Sequence, residues 1–102
     1  MKSIIQQEKD TCFICVLEGN FRTYGKGQRH NHHIFYGSAN RRKSEEWGLK
    51  VWLCYEHHEG NKGVHKNPNK GFDLMLKQHA QKVFEQTHSR ELFIQEFGKS
   101  WI

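Results

Sequence analysis

Apolar residues gather in a few short runs separated by long polar stretches, and those runs predict the elements. His32-His33-Ile34-Phe35-Tyr36 reads as a strand closed by Gly37, and Leu49 to Leu53, with Val51 and Trp52 inside it, reads as a second. Between them residues 38–48 form a polar excursion, expected as a loop with one helical turn. A short helix is expected after Cys54, broken at Gly60-Asn-Lys-Gly63. Asp73 is a suitable N-cap for a longer helix reaching His88, with Leu74, Leu76, Ala80, Val83, Phe84 and Thr87 forming its buried stripe. Ser89 caps a last helix whose Leu92, Phe93, Ile94 and Phe97 turn inward and which Gly98 ends. Residues 1–10 read as a short lead-in, and Gly19, Gly25 and Gly27 punctuate turns and short strands. The order predicts an α+β fold, one domain over residues 1–102, with its helices gathered at one end.

Composition narrows the picture. Only 35% of the 102 residues are hydrophobic, so an ordinary core would be thin and a metal or disulfide is wanted to complete it. The three cysteines do not pair evenly, which favours metal over disulfide and a reducing compartment. No apolar signal segment or membrane-length run is present, so a cytoplasmic location is expected. The net charge of +5 raises the odds of a nucleic-acid partner. Arg22, Lys26, Arg29, Arg41, Arg42 and Lys43 place that charge around the central histidines.

Cys12-x-x-Cys15 and Cys54-x-x-His57 together make a Cys₃His set with the composition and spacing of a structural zinc site. Further histidines exceed what one closed site needs. Neighbouring residues on a strand point to opposite faces, so His32 and His33 cannot readily ligate one ion. His57 and His58 diverge by about 100° on a helix, which lets His57 complete the zinc while His58 faces another ion. On a straight helix His65 would lie about 10 Å from His58. The intervening Gly60 and Gly63 let the chain fold back and bring it near. His32, His58 and His65 then form a three-ligand site with open positions, and His33 is left as a general base. Asn61 is a weaker rival to His65, and His30, on the strand face of His32, is a possible substitute ligand. His79 and His88, and His30 with them, read as surface or hydrogen-bonded residues.

Cys12-x-x-Cys15, His32-His33-Ile34, Gly37-Ser-Ala-Asn-Arg-Arg42, Leu53-Cys54-x-x-His57-His58 and Gly63-Val64-His65 resemble the HNH endonucleases of the His-Me finger group, in particular the small phage and prophage type with zinc knuckles. The likeness spans about residues 11–66 and leaves a helical tail over about 73–98. It implies a ββα-metal, treble-clef-like core carrying a structural zinc and one catalytic divalent ion (Mg²⁺, Mn²⁺, Ni²⁺ or Zn²⁺). It also implies hydrolysis of phosphodiester bonds in DNA within a bacterial or phage-infected cell, by a monomer or homodimer. His32 maps onto the metal position of the first motif, His33 onto the base, His58 onto the helix ligand and Asn40 onto the middle asparagine. Lys62 stands where the family usually carries its last ligand. Arg41 and Arg42 would clamp flanking phosphates. The competing expectation is a non-catalytic zinc module that binds DNA or protein, including a degenerate nuclease fold serving as a phage inhibitor or adaptor.

Overall fold

The computed structural model describes residues 1–19 and 29–102. Arg22, Lys26 and the expected turns at Gly25 and Gly27 lie outside the described residues. Seven elements follow one another: α1 (Phe13–Glu18), β1 (His30–His33), α2 (Ser38–Trp47), β2 (Lys50–Leu53), α3 (Tyr55–His58), α4 (Gly71–Phe84) and α5 (Arg90–Phe97). The α+β expectation holds at this level. β1 and β2 pair antiparallel, with His30 opposite Leu53, His32 opposite Val51 and His33 opposite Lys50.

The first strand starts two residues earlier than its apolar content predicted and stops before Ile34. Ser44 explains the stop. Its hydroxyl donates to the Phe35 carbonyl (2.7 Å) and accepts from the Phe35 amide (3.0 Å), taking over the backbone groups a longer ladder would have satisfied. Ile34 and Phe35 are thereby free to turn into the core, where both are buried.

Residues 38–47 are a ten-residue helix, not the expected loop with one turn. A helix with one buried residue, Ser44, carries almost no apolar stripe, which is why periodicity missed it. Polar ties hold it instead: Lys43 Nζ and Trp47 Nε1 both donate to Glu96 on α5, at 3.2 and 2.8 Å. Gly48 ends the helix at φ 71°, and a Cβ there would stand 2.5 Å from the Lys2 carbonyl. The lead-in passes that close because it runs along β2. Ile4 donates to Gly48, Ser3 Oγ to the Lys50 carbonyl and the Trp52 amide to Gln6 Oε1.

α4 starts at Gly71, and its N-cap is Lys70 rather than Asp73. Asp73 is fully buried inside the first turn, where it accepts from the Asn69 amide (2.6 Å) and pairs with Lys77 (3.0 Å). Leu76, Ala80 and Phe84 form the stripe, whereas Leu74 and Val83 are half-buried and Thr87 is exposed beyond the helix end. α5 follows its prediction at both ends: Ser89 Oγ accepts from the Leu92 amide, and Gly98 closes the helix at φ 90°. Phe93 and Phe97, one turn apart, are buried, but Ile94 faces outward. Phe35 meets both phenylalanines, with ring centroids 5.4 and 4.7 Å apart, so the helical tail packs directly behind the segment that follows β1. Among the described residues no helix is long and apolar enough to cross a membrane.

Candidate metal centres

Cys12, Cys15, Cys54 and His57 converge as their spacing predicted. Cys12 is the N-cap of α1 and Cys54 the N-cap of α3, so two helix starts supply the cluster. The Cys15 amide points at Cys12 Sγ (3.5 Å). Cys15 Sγ stands 3.8 Å from Cys54 Sγ, and His57 Nδ1 stands 3.4 to 3.5 Å from the three sulfurs. Donors at ~2.3 Å (S) and ~2.0 Å (N) from one tetrahedral ion are separated by about 3.8 Å and about 3.5 Å. The buried cluster can therefore hold a structural ion such as zinc. The other ring nitrogen, His57 Nε2, lies 3.0 Å from Glu18 Oε1, an arrangement that keeps the proton on Nε2 and turns the Nδ1 lone pair toward the sulfurs.

A second cluster contains His32, His58 and His65, each offering one ligand atom within 4.8 Å of the others. The fold-back that brings His65 there is a short backbone ladder: Val64 donates to the His57 carbonyl and His65 to the His58 carbonyl. Gly63 makes the turn possible, because a Cβ on it would meet the His58 carbonyl at 2.9 Å. His58 Nε2 and His65 Nε2 are 3.0 Å apart, the separation of two nitrogens at a right angle about 2.1 Å from one ion. His32 Nε2 is buried with no hydrogen-bond partner among the described residues, an orphaned acceptor that fits a cation. Burial, then the neighbouring charges of His58 and His65, hold the His32 imidazolium far below its usual range. Burial, His65 and His30 together lower His58 to about 4, against a smaller opposing pull from Glu59. Both rings are thus neutral lone-pair donors near neutral pH.

His30 is part of this centre, not a surface residue: its Nδ1 lies 2.7 Å from His58 Nδ1. Asn61 is exposed and contributes only its carbonyl, to Asn67. Lys62 is exposed as well. Tyr36 packs behind the cluster, with its ring centroid 5.2 Å from His65 and 5.9 Å from His32. Its hydroxyl donates to Asp73 (3.2 Å), and burial followed by the Asp73 charge pushes the phenol up to about 12, keeping it protonated.

His32 and His33 leave the strand on opposite faces, yet both are buried and both line a cavity of about 240 Å³ together with Asn31, Tyr36, Arg41, His58 and His65. Arg41 and Arg42 are exposed on α2, and with Asn31, His33, Ser38 and Glu45 they line an adjoining cavity. Asn40, expected at the centre, sits half-buried in the first turn of α2 and lines neither cavity. Asn31 lines both. Two-residue strand periodicity places Asn31 on the face of His33, a signal that was available in the sequence. His33 is also not free, because its Nε2 lies 2.7 Å from Glu45 Oε1. Glu18 was detectable as the residue one helical turn after Cys15. Glu45, twelve positions from His33 on a helix without an apolar stripe, had no such signal. His79 and His88 are exposed, as expected.

Comparisons with family models, with curated proteins and with solved structures find no match for this chain.

Proposed function

We propose that this chain is a metal-dependent DNA endonuclease of the HNH, His-Me finger kind, built on a ββα-metal core formed by β1, β2 and α3. One observation carries the reading. Three histidines from separate segments bring ligand atoms together, and the histidine adjacent to one of them lines the same cavity from the opposite strand face. A module that only binds would need the four-ligand cluster but has no use for the second set.

His32, His58 and His65 would hold the divalent ion, which when bound supplies positive charge to a non-bridging phosphate oxygen and to the departing 3′-oxygen. An all-nitrogen donor set favours Zn²⁺, Mn²⁺ or Ni²⁺ over Mg²⁺. His33 takes a proton from water as the water oxygen forms its bond to phosphorus. The bond from phosphorus to the 3′-oxygen breaks in line, and solvent returns a proton to the leaving alkoxide. Arg41 lines both the histidine cavity and the adjoining one, Arg42 lines the adjoining one, and both carry guanidinium forks suited to flanking phosphates. Asn31, on the face of His33, takes the place the resemblance gave to Asn40.

The test is cleavage of supercoiled plasmid with Mg²⁺, Mn²⁺, Ni²⁺ or Zn²⁺ added in turn. Nicking or linearisation by wild type, abolished in His33→Ala at unchanged fold and zinc content, supports the reading. Wild type and His33→Ala equally inert with every ion would replace it with the non-catalytic zinc module.

A further inference from the structure

We propose that Glu45 is the positioning residue for His33, fixing which ring nitrogen faces the cavity; only the activity arm of its test rests on the nuclease reading above. The strand register sets His33 directly opposite Lys50. Glu45, in the last turn of α2, reaches across that pair: Oε1 lies 2.7 Å from His33 Nε2, and Lys50 Nζ lies 3.0 and 2.9 Å from Oε1 and Oε2. The Met1 amine adds a contact to Oε2 at 2.8 Å. Lys50 is mostly buried and His33 nearly fully so, which leaves the ring few alternative orientations.

An ionised carboxylate only accepts hydrogen bonds. His33 Nε2 therefore carries a proton and donates to Glu45, so in the neutral ring Nδ1 is the lone-pair nitrogen. The ring is gripped from the side of α2, while the metal cluster lies on the opposite face of β1 with His32. Glu45 bonds His33, Lys50 and the Met1 amine, and none of the three clustered histidines. Its effect on chemistry runs through the direction in which His33 Nδ1 points. Partners that orient metal-ligating histidines are worth about 10- to 100-fold when removed, and a loss of at least the lower size is expected where the oriented ring is the base.

The test pairs a spectroscopic readout with a kinetic one on the zinc-loaded full chain. Long-range ¹H–¹⁵N correlation of the imidazoles, at a pH where the rings are neutral, is expected to give the Nε2–H tautomer for His33 in wild type. A mixture of tautomers is expected in Glu45→Ala. On DNA, Glu45→Ala is expected to lose about 10-fold or more in kcat with little change in KM, and Glu45→Gln, whose side-chain carbonyl still accepts from Nε2–H, to recover most of it. An Nδ1–H tautomer in wild type, or wild-type kcat in Glu45→Ala, overturns the proposal. Wild-type protein that cuts no DNA but shows the Glu45-dependent tautomer upholds the positioning contact and removes the nuclease reading instead.

Discussion

His30 Nδ1 and His58 Nδ1 stand 2.7 Å apart, so one of the two must carry the proton between them. His58 directs its other nitrogen, Nε2, toward His65 Nε2 at 3.0 Å. A ring that gives its Nε2 lone pair to a cation holds its proton on Nδ1, and His30 is placed to accept it. His30→Ala should then weaken divalent-ion binding at His32, His58 and His65 by about 10- to 100-fold while leaving the Cys₃His ion in place. Manganese titration followed by electron paramagnetic resonance, with zinc content measured alongside, checks both halves. Unchanged manganese affinity would make His30 a bystander.

The cysteine cluster carries a different prediction. Cys12, Cys15 and Cys54 are buried in the same core as Ile14, Leu53 and Val64, so three polarisable thiols occupy space that a thin core would otherwise leave to apolar side chains. Zinc in such a site contributes about 10–16 kcal/mol in small zinc domains, comparable to or larger than the whole stability of a chain this size. Chelating the ion, or changing Cys54→Ser, is expected to abolish the cooperative thermal transition seen by circular dichroism. Glu18→Gln, which weakens the hold on His57 Nε2, should keep the fold but release zinc about 10-fold faster to a chromogenic chelator. A chelated protein that still melts cooperatively would contradict the structural role.

The parts legible in sequence were those governed by local rules. Ligand spacing located the Cys₃His set, strand alternation separated His32 from His33, and two glycines announced the fold-back at His65. Ser89 and Gly98 marked both ends of α5 because caps are chosen by the backbone within a few residues. The misreadings have different physical origins. α2 is held by Ser44 on Phe35 and by Glu96 from α5, contacts made across 9 to 53 positions, so its own pattern reads as a loop. Asp73 resembles an N-cap in composition but is committed to Lys77, Tyr36 and the Asn69 amide. Asn40 was carried by motif resemblance, whereas Asn31 follows from strand period alone.

Acid should lower the stability of the whole fold through the three-histidine centre, whose folded rings resist the protons that the unfolded chain accepts. Burial and neighbouring histidines lower His58 to about 4 and His32 further still, against the ordinary value of 6.5 that both regain on unfolding. Below 6.5 the unfolded chain binds more protons than the folded one, so stability rises with pH through this window. The contribution is fully present above 6.5 and is lost as pH falls toward 4. Urea midpoints measured on zinc-loaded protein, with no second ion added, should fall between pH 7 and about pH 5. The fall should be shallower in His58→Gln, since acid release of zinc acts on both proteins alike. Equal slopes in the two would show that His58 does not resist protonation in the fold.

The Asp73–Lys77 pair is buried at both ends and braces the back of the histidine centre through Tyr36. Lys77 Nζ also bonds Asn69 Oδ1 at 2.7 Å and sits 4.5 Å from the Tyr36 ring centroid and 4.7 Å from that of Trp101, so removing Asp73 strands a cation among aromatic faces. Breaking a buried pair from one side costs about 3–5 kcal/mol, and Asp73→Ala should lower stability by that amount. Replacing both partners with apolar residues of similar size, Asp73→Leu with Lys77→Met, removes the stranded charge and should recover most of the loss. Tyr36→Phe deletes one hydrogen bond to Asp73 and should cost about 1 kcal/mol. Its ring would still pack on His65 and His32, so manganese affinity should hold. Chemical denaturation of the four zinc-loaded proteins measures the order. A double variant no better than Asp73→Ala would mean that Asp73 stabilises the fold through the Asn69 amide at the start of α4, and not through its charge on Lys77.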